Sequence, residues 1–233
     1  MVNLRRVAET STTTTSEGER PSHEHLPQRT TANGRGVFLT DGGIETDLIF
    51  NDRLELPHFA AFVLLKDRQG QAALESYYRR YAAIARENGT GFIFEIPTWR
   101  ASLDWGRKLG YAAQALQEAN AQAIELMANL RRELGDARTP MVISGCVGPR
   151  RDGYDPGTVM SAAEAEAYHA GQIGVFARSE ADMVTAITMT NANEAIGIAR
   201  AATAADMPVA ISFTLDRRVA ADRAGLARSD RRS

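Results

Sequence analysis

The sequence predicts an α/β protein built around a parallel β-sheet. Five short segments are continuously apolar and rich in β-branched or aromatic residues, which is typical of strands that are buried on both faces. The segments between them carry apolar residues at every third or fourth position, which is typical of amphipathic helices. Because strands and helices alternate along the chain, the pattern indicates right-handed βαβ units.

Each predicted element follows from its own stretch of sequence. The first helix spans about 70–87, and Asn88-Gly89 ends it. A longer helix is predicted from about 107 to 134, and helices near 161–178 and 191–205 follow the third and fourth strands. The five strands are predicted, in chain order, at VFLTD (37–41), GFIFEI (91–96), MVISG (141–145), DMVTAIT (182–188) and MPVAISF (207–213).

Charge, hydropathy and cysteine content exclude several classes of protein. The 233 residues include 27 Lys and Arg against 29 Asp and Glu, so the chain offers no basic field for nucleic acid or an anionic membrane. The longest apolar run, residues 59–65, is too short to span a bilayer. A single cysteine, Cys146, excludes an intrachain disulfide and indicates a reducing compartment. We therefore predict a cytoplasmic protein that binds neither nucleic acid nor a membrane.

Two terminal segments differ in composition from the region between them. Residues 1–36 hold seven Thr and few large apolar residues, which predicts a disordered leader that is neither a signal peptide nor a transit peptide. Residues 216–233 contain six Arg, three Asp and no aromatic residue, and they do not continue the strand–helix pattern. The predicted folded domain is therefore 37–215, followed by a disordered basic tail.

The end of the first predicted strand carries a candidate binding motif. Parallel α/β sheets place their ligands at the carboxyl ends of the strands. There, Gly42 and Gly43 let the backbone approach a ligand closely, and Asp41 and Glu45 offer oxygens that accept from an ammonium group or take up a proton. A tight turn with an acidic helix cap is the alternative interpretation. The dinucleotide-binding pattern G-x-G-x-x-G is absent.

The other strands add fewer candidates. Glu95 on the second strand requires a polar interior or an arginine partner, for which Arg100 is a candidate, because an unpaired buried carboxylate is costly. Cys146 is interpreted as a small buried residue, since no histidine lies near it in sequence. The four histidines show no zinc-site spacing, and they are His23, His25, His58 and His169.

Several motifs together resemble those of the homocysteine S-methyltransferase family. They are DGGIETDL after strand one, PTWRAS after strand two, SGCVGP after strand three, the helix SAAEAEAYHAGQIGVF, and the pair ADMVTAIT and NEAIGIARAA around strand four. The resemblance covers about residues 37–215. It implies a (β/α)8 barrel that binds homocysteine and a zinc ion at its carboxyl-terminal face. It also implies that a methyl group from S-methylmethionine, betaine or methylfolate is transferred to homocysteine, which gives methionine.

The resemblance extends to individual residues, with departures. Asp41, Gly42, Gly43 and Thr98 match family positions that line the substrate pocket, and Glu45 stands where the family usually has a glycine. Ile187 stands where many members have a glutamate on strand four. The family's three zinc-binding cysteines, one after strand six and an adjacent pair near strand eight, have no counterpart in this chain. We therefore predict no metal ligand, no bound cofactor and no intact catalytic residue, so that the chain is inactive.

The length of the strand–helix region predicts an incomplete barrel. Five strands occupy residues 37–213, and the residues after Phe213 are too few for three further βα units. The predicted fold is a partial (β/α)8 barrel with five parallel strands, truncated before strands six to eight, whose exposed edge favours self-association. Arginine outnumbers lysine throughout, which indicates GC-rich coding. When residues 216–233 are back-translated with GC-rich codons and read one base later, the resulting sequence resembles the family motif T-D-G-x-L-P-x-G. This predicts a frameshift-derived tail.

Two alternatives stay open at the level of sequence. In the first, five strands form a doubly wound sheet that acts as a binding module, as in flavodoxin-like proteins. The long separation between strands one and two counts against it. In the second, the chain is a half-barrel that assembles with a partner fragment and has no catalysis of its own.

Overall fold

The computed structural model of the chain describes residues 36–155 and 157–215. All but one of the residues of the predicted leader, and the whole predicted tail, lie outside these ranges. The described residues form one sheet of five strands, which are β1 (Phe38–Thr40), β2 (Gly91–Glu95), β3 (Met141–Val147), β4 (Met183–Met189) and β5 (Val209–Phe213).

Helices connect the strands. Two short 3-10 helices, Pro57–Phe59 and Ala61–Lys66, lie between the first two α-helices. Within the described ranges, no helix combines the length and the apolar character that crossing a membrane requires. The α-helices are α1 (Ile44–Phe50), α2 (Arg68–Asn88), α3 (Leu103–Lys108), α4 (Ala113–Leu134), α5 (Ala162–Ala177) and α6 (Ala192–Ala204).

The strand order identifies the architecture. The strands lie in the order β1-β2-β3-β4-β5, and each neighbouring pair is parallel. Each βα unit therefore adds its strand to the same side of the sheet, and the sheet curls into a half-barrel with its helices outside. This confirms the partial (β/α)8 barrel. The doubly wound alternative is wrong, because that fold requires the strand order to reverse at a switch point.

The predicted helix over 107–134 is wrong in its first turns. The structure has two helices there, because α3 ends at Lys108 and α4 begins at Ala113. Gly110 between them has a φ of 78°, in the left-handed region that favours glycine. The break turns α3 so that Gly106 packs against Leu116 of α4, where a side chain at Gly106 would come within 2.9 Å of the leucine.

The core lies between the outer face of the sheet and the helices. On β2, Phe92 and Phe94 are fully buried, and the Phe94 ring packs edge-on against Tyr78 of α2. Ile93 and Glu95 alternate with them on the inner face and are only partly covered. This alternation leaves the inner face of the half-barrel free to form a site.

A buried polar pair joins α5 to α6. His169 Nε2 lies 2.9 Å from Glu194 Oε1, and both side chains are almost completely buried. Glu194 also accepts a hydrogen bond from the backbone N–H of Arg150, in the loop that follows β3. His169 therefore lies on a helix face, as the sequence indicates, and its partner is a carboxylate that fixes the position of the β3–α5 loop.

Candidate functional site

A cavity of about 340 Å³ opens at the carboxyl ends of the five strands. All five strand ends and the first turn of α1 contribute to its lining. Its lining includes apolar side chains such as Ile96, Ile187 and Ile211. The polar side chains that line it are Thr40, Asp41, Glu45, Glu95, Cys146, Thr185 and Ser212.

The motif at the end of β1 lies where the sequence predicts a site. Asp41, Gly42, Gly43 and Glu45 all line the cavity, and their roles in substrate binding stay predictions. Thr98 does not line it. That residue is completely buried, and its hydroxyl donates to the backbone carbonyl of Cys146 at 2.7 Å, so it joins the chain after β2 to the end of β3.

Asp41 is held by a tyrosine from α2. The Tyr77 hydroxyl donates to Asp41 Oδ2 at 2.8 Å. Burial raises the pKa of Asp41 to about 7, although this hydrogen bond partly opposes the shift. The neighbouring Gly42 leaves room for α2, since a Cβ atom there would come within 2.6 Å of the Tyr81 hydroxyl oxygen. The helical pattern indicates Tyr77 only as a core residue. It cannot predict the contact of the Tyr77 hydroxyl with Asp41, because the two residues lie in distant parts of the chain.

Two glutamates complete a group of three carboxyls. The pKa of Glu45 is raised to about 7, mainly by burial and also by the charge of Asp41, against backbone hydrogen bonds and the charge of Arg100, which lower it. Burial also raises the pKa of Glu95 to about 7, against hydrogen bonds from the hydroxyls of Thr185 and Ser144. Among the described residues, Glu45 Oε1 and Glu95 Oε2 are buried without a hydrogen-bond partner. Glu95 thus points into a polar interior, which is one of the two environments that the sequence predicts for it.

Arg100 is not the partner of Glu95. Its guanidinium lies between the rings of Trp99 and Trp105, at 4.0 and 3.8 Å from their centroids. It donates to the backbone carbonyl of Arg151 at 2.8 Å and to Asp152 at 3.2 Å. A planar cation stacks well on two indoles, so the arginine is buried and anchors the loop after β3.

Trp99 lines the cavity, although the sequence does not single it out within PTWRAS. Its indole N–H donates to Thr188 Oγ1 at 3.1 Å. Thr188 has a φ of 58°, which is strained for a β-branched residue, and it lies at the irregularity where β4 shifts its register against β5. The tryptophan therefore joins the ends of β2 and β4 at the rim of the cavity.

The zinc ion that the resemblance implies does not fit the residues described. No group of three or more His, Cys, Asp or Glu side chains within 36–155 and 157–215 is placed to hold a metal ion. Burial, followed by the charges of Glu95, Glu45 and Asp41, raises the pKa of the Cys146 thiol well above its usual value. Cysteine binds zinc as the thiolate, so this neutral thiol is unsuited to the role.

A family model matches most of the chain, and two solved structures share its fold. The family model described as homocysteine S-methyltransferase matches residues 38–227, and so extends beyond the described residues into the predicted tail. No curated protein sequence matches the chain significantly. Two solved structures of the homocysteine methyltransferase MmuM from Escherichia coli are similar, the oxidized form with a TM-score of 0.64 and the metallated form with 0.62.

Both structures are 18% identical to this chain, a level at which the likeness shows the fold. Each alignment covers 78% of this chain, which spans 63% of the oxidized form and 64% of the metallated form. The family model, by contrast, matches most of the sequence, including the strand-end motifs that line the cavity. The chain belongs to the homocysteine S-methyltransferase family.

Proposed function

We propose that the cavity at the strand ends binds homocysteine as the acceptor of a methyl group, in a reaction that gives methionine. The observation that carries this proposal is the placement of the family motif after β1, because Asp41, Gly42 and Gly43 line the same cavity as Glu95. The single cysteine of the chain is buried and free, which supports a cytoplasmic protein.

The acceptor's amino-acid group is bound at the end of β1. The Asp41 carboxylate accepts from the α-ammonium group, and Tyr77 holds the carboxylate in place through its hydrogen bond. Because the pKa of Asp41 is raised to about 7, an approaching ammonium favours the ionised form of this carboxyl. Gly42 and Gly43 allow the backbone to approach the ligand, and the apolar walls of the cavity accept its methylene groups.

We propose that the 233 residues do not complete the methyl transfer on their own. A free thiol has a pKa near 8.5, so only a few per cent of homocysteine is ionised at neutral pH. Three carboxyl groups line the cavity, and negative charge on them disfavours a thiolate further. The only cysteine of the chain is a buried, neutral thiol, which leaves no thiolate ligand for a metal ion.

The test combines a binding measurement with an activity measurement. We expect calorimetry to detect homocysteine binding, and Asp41→Asn to weaken it by about tenfold to a hundredfold, as for a lost charged hydrogen bond. Glu87→Gln, a change of an exposed glutamate on α2, is the matched control and should bind normally. Incubation with homocysteine and S-methylmethionine, betaine or methylfolate should give no methionine above the protein-free rate. Metal analysis should give far less than one zinc per chain.

Either half of the proposal can fail. Normal homocysteine binding by Asp41→Asn, or no binding by the unaltered chain, would contradict the assignment of the pocket. Methionine formation that persists after chelation and disappears in Asp41→Asn would show that the chain has a working site.

A second proposal concerns assembly. In the part of the chain that the structure describes, β5 pairs only with β4, and Phe213 and Leu215 beside this edge are exposed. These features support self-association, or assembly with a partner fragment, through the edge of the half-barrel. Light scattering across a concentration series should show a mass above that of one chain, and Phe213→Ser should lower it. A constant single-chain mass would contradict self-association.

A further inference from the structure

We propose that a second cavity binds a small neutral molecule that carries a carboxamide group. This cavity has a volume of about 100 Å³ and lies among α3, α4 and α5. None of its described lining residues also lines the cavity at the strand ends. The proposal therefore concerns a site apart from the methyl-transfer site, and it does not depend on the proposed function.

The first argument is an amide oxygen at this cavity that has no hydrogen-bond partner. The Gln172 side chain, on α5, lines the cavity, and the residue is only 8% exposed. Within the described part of the chain, no group donates to its Oε1 atom. Buried polar atoms are nearly always hydrogen-bonded in folded proteins, so this oxygen indicates that a ligand in the cavity supplies the donor.

The Gln172 amide cannot rotate to find a partner elsewhere. Its Nε2 group donates to the backbone carbonyl of Thr98 at 3.1 Å and to Asn120 Oδ1 at 3.0 Å. Asn120 is fixed in turn, because its Nδ2 group donates to the backbone carbonyls of Ala101 and Leu116. Exchanging the nitrogen and oxygen of Gln172 would place its oxygen against two acceptors. The network therefore fixes the direction of Oε1 before any ligand binds.

The second argument is a donor in the same wall. Ser102 lines the cavity, and its hydroxyl accepts from the Tyr168 hydroxyl at 3.1 Å. The Ser102 side chain does not cap α3, and among the described residues its own hydrogen has no acceptor. A carboxamide has an N–H donor for Gln172 Oε1 and a carbonyl acceptor for the Ser102 hydroxyl. One neutral group therefore matches both side chains.

The rest of the wall determines the charge and the size of the ligand. None of the described lining residues is charged at neutral pH, and Leu103, Leu116 and Val175 make part of the wall apolar. The cavity has the volume of about three water molecules, and each buried water needs about three polar partners. The apolar part of the wall cannot supply these partners, whereas it suits a short alkyl group. The expected ligand is therefore a small alkyl carboxamide.

The test uses the full chain with acetamide and acetone as probes. The two molecules have the same number of heavy atoms and nearly the same shape, but only acetamide has N–H groups. Ligands this small bind weakly, so titrations followed by nuclear magnetic resonance are suitable. Acetamide should bind about tenfold more tightly than acetone, because acetone leaves Gln172 Oε1 without a donor. The side-chain amide signal of Gln172 should shift and saturate with acetamide.

Variants identify the groups responsible. Gln172→Leu removes the unpartnered acceptor and Ser102→Ala removes the donor, so each should reduce the preference for acetamide over acetone. Gln122→Leu, a change of an exposed glutamine on α4, is the matched control and should keep the preference. Thermal melts establish which variants are folded. If Gln172→Leu does not fold, Ser102→Ala and the two probes on the unaltered chain decide the outcome.

Three results would overturn the proposal. The first is equal binding of the two probes by the unaltered chain, or no saturable shift of the Gln172 signal. The second is an unchanged preference for acetamide in every folded cavity variant. The third is displacement of acetamide by homocysteine, because acetamide would then lie in the cavity at the strand ends.

Discussion

Glu95→Gln is expected to stabilise the protein at neutral pH. We compare the free energy of unfolding of the variant with that of the unaltered chain at two pH values. The difference, in favour of the variant, should be about 2 kcal/mol larger at pH 7.5 than at pH 5. The reason is that burial raises the pKa of Glu95 from 4.5 to about 7. Stability from the neutral carboxyl is fully present below pH 4.5 and is lost as the pH rises through 7. Glutamine is uncharged throughout and avoids this loss.

Denaturant titrations at several pH values between 5 and 7.5 measure the effect. Carboxyls with a lowered pKa affect stability only outside this pH range. Glu194 is an example, because hydrogen bonds from His169 and from the Arg150 backbone lower its pKa despite its burial. Its contribution to the free energy of unfolding is lost only in more acidic solution. Glu87→Gln is the matched control, and its profile should run parallel to that of the unaltered chain. A parallel profile for Glu95→Gln would show that Glu95 is not a buried, neutral acid.

Gly197→Ala is expected to destabilise the protein by about 2 kcal/mol or more, in the range seen for overpacked sites. Gly197 lies on α6 where that helix meets α5. A Cβ atom there would lie 2.5 Å from the Cβ atom of Ala165, 2.6 Å from the Glu166 backbone nitrogen and 2.7 Å from the Ala162 carbonyl oxygen. Because two of these atoms belong to the backbone, the helices themselves would have to separate.

Gly171→Ala provides the opposite case on the neighbouring helix. No atom lies within 4 Å of a Cβ atom built at Gly171 in α5. Alanine should therefore stabilise the protein by about 0.5–1 kcal/mol, through its higher helix propensity. Thermal and denaturant unfolding of both variants would measure the contrast. Equal effects of the two substitutions would contradict the close α5–α6 contact.

The fold was predictable as far as local patterns determine it. The apolar segments locate all five strands, because successive apolar residues are typical of parallel strands, although β1 and β5 are only partly buried among the described residues. The same segments also fit a doubly wound sheet, against which only the long separation between strands one and two counts, since strand order depends on contacts between distant segments. The order β1-β2-β3-β4-β5 was therefore expected only from the resemblance of motifs such as DGGIETDL.

The break before α4 shows what periodicity conceals. Leu109 and Leu116 fit one helical stripe, so the apolar pattern continues across the break. The signal that identifies the end of α3 is Gly110 after the basic pair Arg107 and Lys108, which is typical of a helix carboxyl terminus. The start of α4 has no such signal, because its N-cap is Ala112, which lacks a capping side chain.

The candidate site was predictable in part for the same reason. Asp41 and Glu45 are close in sequence and follow a strand, so local analysis places both at the sheet edge. The contact between Tyr77 and Asp41 depends on the packing of α2 against the barrel, which no local pattern reports. Arg100 shows the reverse error, because nearness in sequence to Glu95 suggested a pair, whereas stacking on Trp99 and Trp105 directs its side chain elsewhere.

The consecutive strand order has a consequence for how the chain reaches its folded state. Each strand pairs with the one made just before it, and successive pairings close shorter stretches of chain: Phe38 pairs with Gly91, whereas Val184 pairs with Val209. The entropy lost on closing a loop grows with its length, so the β4–α6–β5 unit has the smallest cost to begin its pairing. Because each strand pairs with its predecessor, a growing chain can add one unit at a time as it leaves the ribosome.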